Sequence, residues 1–399
     1  MGYSLSRQNR AESLNTNTGY RLLNDMLQPE EFREQTAAKL LCNLERVTRL
    51  RAFIGLDGFV DEIIHVVDQR SGPESFVRLS GIGALAERLA GAAGKSTNIE
   101  LVNQRTKLGG NGPIMANAMA RLGIKVTYVG ALGYPNLHPV FADFARNAEV
   151  HGIADPGHTD ALEFDDGKLM LTKTTSLNEV TWENIQRRYG RDKFIDHFST
   201  AHFVGFVNWT MIPGMSDLWA SLLSEFCPAQ ARARRLMFFD LADPEKRTPK
   251  DIARALELIT AFGRYFEVIL GLNEKEAYEV GDVLGLNTAN RTRDGLGALA
   301  LGIQQRTPVG TLVVHPVSFA LATGGGAIAF VDGPFVEKPL ITTGAGDHFN
   351  AGFCLGKLLE FDNAASALCG VSSSGYYVRT AQSPSVEDLA GLMRQWPEV

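Results

Sequence analysis

The sequence is poor in features that would place it in several functional classes. Positive charge is not in excess: 39 Lys and Arg against 45 Asp and Glu leave a formal net charge of −6. That balance argues against a nucleic acid or an anionic membrane approached through a basic face. No apolar run reaches the roughly 18–20 residues needed to span a bilayer, and the first forty residues hold no hydrophobic signal core. The four cysteines, Cys42, Cys227, Cys354 and Cys369, form no CxxC pair. They are expected to be small buried apolar residues in a reducing compartment. The eight histidines lack metal-like spacing, and no repeat is present. A cytoplasmic protein is expected, and 399 residues give ample core for one large domain or two ordinary ones.

What is present alternates. Short runs rich in Val, Phe and Ile ("HFVGFVN", "RLMFFDLA", "FEVILGLN", "GTLVVHP") are separated by helical patterns at 216–226, 249–262, 274–284, 294–305 and 347–360. This predicts an α/β fold of three layers, α/β/α, with a mostly parallel central sheet whose ligands bind beyond the carboxyl ends of the strands. Three extended ribbons, about 57–70, 98–108 and 160–176, break the alternation and predict a small β-sheet lid. Asp166-Gly167 is a good hairpin turn within the last of them. Residues 1–50 read as an N-terminal helical extension, with Phe32, Ala37, Leu40, Leu41 and Leu44 on one face, ahead of a domain at 51–395.

Two glycine-rich stretches are set aside. "GAAGKST" lacks the earlier glycine of a phosphate loop, because position 89 is Leu89, and it follows a helical run. "GIGALA" has no strand before it and reads as a helix start. "GLNEKEA" follows a strand, so Asn273 can cap the next helix with Glu276 as its capping-box partner. The same amide and carboxylate could equally organise a hydrated Mg²⁺. In "TTGAGDHFNAGF", Thr342 to Phe353, the glycines let main-chain N–H groups converge at a helix mouth beside Asp347. That suits phosphate, although a plain turn and cap would use the same residues.

"TTGAGDHFNAGF" also resembles the C-terminal signature of the ribokinase-like (PfkB) carbohydrate kinases. "GLDGFVDEI", "GGNGPIMANAMARLG" and "NEKE" fall in that family's order, so the similarity spans about 50 to 390. The resemblance implies transfer of a nucleotide's terminal phosphoryl group to a sugar hydroxyl. Asp347 would be the base, with the N–H groups of Gly344, Ala345 and Gly346 holding phosphate charge. Asn273 and Glu276 would place Mg²⁺, and Thr343, His315 and Ser373 would meet the nucleotide. Asp57, Asp61, Gly109, Gly110 and Asn111 would bind the sugar. The small sheet would close over the site, and an apolar outer ribbon on it would make a homodimer through the lid.

The pattern departs from the family at several places. Pro113 and Ile114 follow the glycine pair where an asparagine is usual, Tyr134-Pro135 replaces an aspartate, and Ile341 stands where a cation-linked aspartate is common. "GLDGFVDEI" and the His315 segment look like the ADP-dependent sugar kinases, whereas GAGD and the length favour ATP. Two alternatives remain. One is a nucleoside or vitamin-alcohol kinase with Phe59, Ile114 and Trp209 lining its pocket; the other is a non-catalytic sugar or nucleotide sensor.

Overall fold

The computed structural model describes residues 21–22, 28–227 and 235–397. Among these described residues fifteen strands are formed, in chain order β1 (Arg21–Leu22), β2 (Arg51–Leu56), β3 (Phe59–Arg70), β4 (Phe76–Arg78), β5 (Leu101–Gly109), β6 (Lys125–Gly130), β7 (Glu149–Gly152), β8 (Gly157–Phe164), β9 (Gly167–Lys173), β10 (Phe203–Phe206), β11 (Leu236–Asp240), β12 (Glu267–Leu272), β13 (Thr311–Val314), β14 (Phe319–Gly324) and β15 (Ala327–Asp332). Ten of them make one sheet in the order β1-β15-β14-β13-β12-β11-β10-β2-β6-β7. Every neighbouring pair is parallel except those of β14, which runs against β13 and β15.

The apolar runs explain why this sheet is buried on both faces. Successive side chains of a strand point to opposite sides, and here both sides are hydrophobic. Met237 and Phe239 enter one core, and Leu236 and Phe238 the other. The first core is closed by helices Arg191–Thr200, Met215–Glu225, Pro249–Phe262, Glu274–Val283 and Arg293–Arg306. Closing the second are Pro29–Cys42, Asn111–Arg121, Ala345–Leu358, Asn363–Thr380 and Val386–Arg394. The helical patterns read from sequence therefore lie within about two residues of the helices observed. Helix Pro29–Cys42 packs on Val386–Arg394 with Ala37 and Leu40 fully buried. Cys227, Cys354 and Cys369 are buried as expected, but Cys42 is exposed, because it ends that helix on its outer face.

A second, smaller sheet runs β4-β3-β8-β9, with β5 also on β3. It has its own small core of Ile64, Val66, Leu79, Leu85, Leu162 and Phe164. Strand β3 begins three residues after β2 ends, so this sheet hangs from the carboxyl edge of the large one. No helix among the described residues is long and apolar enough to cross a membrane.

The first core is dense in aromatics, and Trp219 is fully buried with its ring edge-on to Phe239 at 4.8 Å. Trp219→Ala is expected to lower stability by about 3–5 kcal/mol, read as a shift in the midpoint of chemical denaturation. A shift within experimental scatter would contradict that packing.

Candidate active site

Helix Ala345–Leu358 starts at the carboxyl edge of the central sheet, and Gly344, with φ +94°, turns the chain into it. An L side chain is strained at that angle, so glycine is needed there. The helix begins two residues before the sequence pattern indicated, which makes Asp347 a first-turn residue. Ala345 N donates to the Thr342 carbonyl at 3.1 Å, and His348 N to the Gly344 carbonyl at 3.1 Å. The N–H groups of Gly344 and Gly346 have no acceptor among the described residues. Of the three amides assigned to phosphate, two are thus available, while the Ala345 amide is used to close the turn.

Asp347 is 7% exposed, and its Oδ1 accepts from Asn111 Nδ2 at 3.0 Å. Burial raises its carboxyl well above the ordinary value, and the charge of Asp240 adds to the rise. Asn111 opens helix Asn111–Arg121 directly after Gly109-Gly110. A Cβ on Gly109 would overlap the Asp61 carboxylate, so this backbone and that acid are in contact only because position 109 is bare. Burial likewise raises Asp61, and the neighbouring Lys107 opposes the shift.

Asp57 is placed differently. It is fully buried, its Oδ1 accepting from Gly112 N at 2.9 Å and its Oδ2 from Asn208 Nδ2 at 2.7 Å. Tyr128 OH donates to its main-chain carbonyl at 2.7 Å. The assigned sugar ligand thus lies behind the wall, because its own donors enclose it. Asn208 stands in front, lining the cavity. Its Nδ2 is committed to Asp57, and its buried Oδ1 has no partner.

The capping box expected at Asn273 and Glu276 is formed. Asn273 Oδ1 accepts from Glu276 N at 2.9 Å, and Glu276 Oε2 from Asn273 N at 2.8 Å. The other Glu276 oxygen accepts from Asp243 N at 2.9 Å. Next to it, Asp240 at the end of β11 accepts from Ala242 N and Asn350 Nδ2, both at 2.9 Å. Asp240 and Glu276 are each raised first by burial, and Glu276 further by Asp240.

Two cavities meet here. One, of about 540 Å³, is lined by Phe59, Asp61, Gly110, Asn111, Asn208, Asp243 and Asp347 among others. The other, of about 360 Å³, is lined by His315, Phe335, Phe349, Val371 and Ser374 and by Ala345-Gly346. Both touch Asn273, and Thr342 to Asp347 runs between them, with Thr343 on the first side. Burial pulls His315 down to about 4, so its imidazole is neutral. Ser373 lines neither cavity: it is fully buried in helix Asn363–Thr380, and Ser374 takes the facing position. Phe59 and Ile114 reach the larger cavity, but Trp209 does not, being buried with its indole N–H on Ser216 Oγ at 2.9 Å. Asn208 and Asp240 were missed in the sequence. The available signal was their place at the carboxyl ends of the "HFVGFVN" and "RLMFFDLA" strands.

These acids set a pH dependence. A carboxyl whose folded value exceeds its unfolded one costs stability as pH climbs through the folded value. Burial lifts Asp57 to about 6 and raises Asp240, Glu276 and Asp347. His315 and His348, both pulled down to about 4 by burial, act oppositely, but only below the unfolded imidazole value of about 6.5. From about pH 6.5 to 8.5 the ligand-free chain is therefore expected to melt at lower temperature as pH rises, with Glu276→Gln flattening the slope. A flat or rising wild-type profile would contradict this.

The model for the prokaryotic ketohexokinase family matches residues 34–396. A ketohexokinase of Haloferax volcanii is 30% identical over 348 residues, covering 86% of this chain and 91% of that protein. Among solved structures, Arabidopsis thaliana ribokinase complexed with ribose and ATP is similar at a TM-score of 0.60 and 15% identity, covering 86% of this chain and 98% of that one. Phosphofructokinase-2 from Escherichia coli gives 0.58 at 14%, covering 87% and 99%, and a carbohydrate kinase from Agrobacterium tumefaciens 0.57 at 18%, covering 87% and 97%. The fold is thus the ribokinase-like one, and the match over residues 34–396 shows that the chain belongs to the prokaryotic ketohexokinase family of sugar kinases.

Proposed function

We propose that the protein transfers the terminal phosphoryl group of ATP to a hydroxyl of a ketohexose, with Asp347 as the base. The observation that carries this reading is the junction of the two cavities, where Asp347 and the free Gly344 amide line one side and the free Gly346 amide lines the other. The ketohexose is supported by the name of the Haloferax volcanii relative, and ATP by the ribokinase complexed with ribose and ATP.

The sugar occupies the larger cavity. Asp61 and the orphan Asn208 Oδ1 accept from its hydroxyls, since a buried acceptor without a partner costs free energy until a donor arrives. The nucleotide base lies against Phe335, Phe349 and Val371 of the other cavity, so its phosphates reach the loop between them. As the sugar oxygen attacks the terminal phosphorus, its proton passes to Asp347 and the bond to the departing ADP oxygen breaks. The Gly344 and Gly346 amides donate to the migrating oxygens, and the positive end of helix Ala345–Leu358 adds to that stabilisation. The second sheet acts as a lid, keeping out water that would compete for the phosphoryl group.

Mg²⁺ fits the residues present. No three acids or histidines among the described residues form a closed ligand set, but Glu276 and Asp243 line the cavity. Such an ion is usually held by one or two carboxylates, water and phosphate. Glu276, Asn273 and Asp243 would hold it, and bound there it neutralises phosphate charge. Burial raises the Glu276 carboxyl, whereas at Asp243 burial is outweighed by Lys246 and Lys275, which hold its carboxyl below the ordinary value.

Asp347→Asn is expected to lower kcat on the order of 10²–10⁴-fold while nucleotide affinity stays within a few-fold, because the anion contacts are main-chain. Loss of nucleotide binding together with turnover would make the carboxylate structural. In a coupled assay with fructose, chelation should abolish turnover and Mg²⁺ restore it. Turnover with ADP but not ATP would overturn the choice of donor, and tight sugar binding without turnover would favour a sensor.

A further inference from the structure

Ile114 also borders a third cavity, of about 600 Å³, that the phosphoryl-transfer reading does not use. Its walls come from β5, helix Asn111–Arg121, residues 139–147 and the turn Ala381–Ser383. Arg105, Lys107 and Arg121 all line it. Among the described residues none of the three has an ion-pair or side-chain hydrogen-bond partner, in contrast to the paired arginines elsewhere on the surface. Asp143 is the carboxylate at the rim, and it is bonded to Arg146, which returns the positive charge. Burial depresses the Lys107 ammonium, as do Lys168 and Arg105, while Asp61 and Asp347 oppose the shift. Asn117 and Gln382 add uncharged amide donors.

Uncompensated cations around a concavity repel each other until an anion enters. Guanidinium forks suit phosphate oxygens, and an ammonium adds a point charge. A phosphate monoester carries nearly two negative charges at neutral pH, which matches a site of three cations better than a single carboxylate does. We propose that this cavity is a second, non-catalytic binding site for a phosphate monoester, held by Arg105, Lys107 and Arg121.

The site's wall is joined to the signature loop. His348, which lines the cavity, donates from Nδ1 to the Gly344 carbonyl at 2.7 Å. Its Nε2 therefore accepts from Ser383 Oγ at 2.8 Å, and Ser383 lines the cavity too. The His348 ring stacks on Tyr377 at 3.7 Å, and Tyr377 OH donates to the Thr343 carbonyl at 3.0 Å. A ligand here thus lies against residues that hold the carbonyls of Thr343 and Gly344.

The test is calorimetric titration of the full chain with fructose 1-phosphate, inorganic phosphate and unphosphorylated fructose. Arg105 and Arg121 are exposed, so the Arg105→Gln/Arg121→Gln double variant is expected to fold. Affinity for the phosphorylated ligand should fall at least about tenfold in that variant, roughly the loss of one charged contact, and persist in Asp347→Asn. Turnover of the double variant without added anion should stay within about twofold of wild type. An ester that outbinds inorganic phosphate identifies a phosphorylated sugar as the ligand, and equal affinities identify the free anion. Phosphate binding that is unchanged in the double variant, or that is lost in Asp347→Asn, overturns the proposal, whatever the catalytic assays show.

Discussion

Several acids kept out of water together set the terms for the rest of the molecule. Asp57, Asp240, Glu276 and Asp347 are each under one-tenth exposed and gather at the carboxyl edge of the central sheet. Isolated charges there would be costly, so each acid is supplied with donors. Asp57 has Gly112 N and Asn208, Asp240 has Ala242 N and Asn350, and Glu276 has the amides of Asn273 and Asp243. Asp347 has Asn111 as its donor. Asp347, with a single side-chain donor, is the least supplied of the four and lines the cavity, as the proposed base would need. Glu276 lines the same cavity, but both of its oxygens are bonded to main-chain amides.

The topology explains how these groups come together. Parallel strands all end on one edge, so β2, β11 and β12 deliver Asp57, Asp240 and Asn273 to a common level. Helix Ala345–Leu358 then brings its amino end to that level from the second layer. The positive end of its dipole faces the acids, and the amides left over at a helix start face the cavity. The acid and the unpaired amides thus come from one short segment, with little freedom to separate.

Much of this was legible in the sequence. Apolar runs of four to six residues between helical patterns gave the layers, and helix Pro249–Phe262 matched its sequence limits because Thr248 and Pro249 mark the start. The capping box at Asn273 was readable because it depends on residues three apart. Side-chain direction was not. Asp57 and Asp61 are both acids of one segment, yet one points into a nest of donors and the other into the cavity. Ser373 and Ser374 differ by one step of helical phase, about 100°, which decides burial against exposure. Trp209 looked like a pocket residue and is core, since the tight turn after β10 carries it inward. The Ala345 amide was assigned by motif position, whereas the turn that Gly344 allows consumes it.

Strands β3 and β5 pair so that Phe59 lies opposite Gly109 and Asp61 opposite Lys107. The aspartate on one strand and the glycine end of the other therefore belong to a single hydrogen-bonded panel, while Asn111 opens the helix that follows. Asp61 is thus held by its strand partners, and Asn111, the donor to Asp347, by the helix it opens. Gly110, with φ +93°, is the single residue between that panel and that helix, so any side chain at that position would strain the join between the Asp61 strand pair and the amide bonded to Asp347.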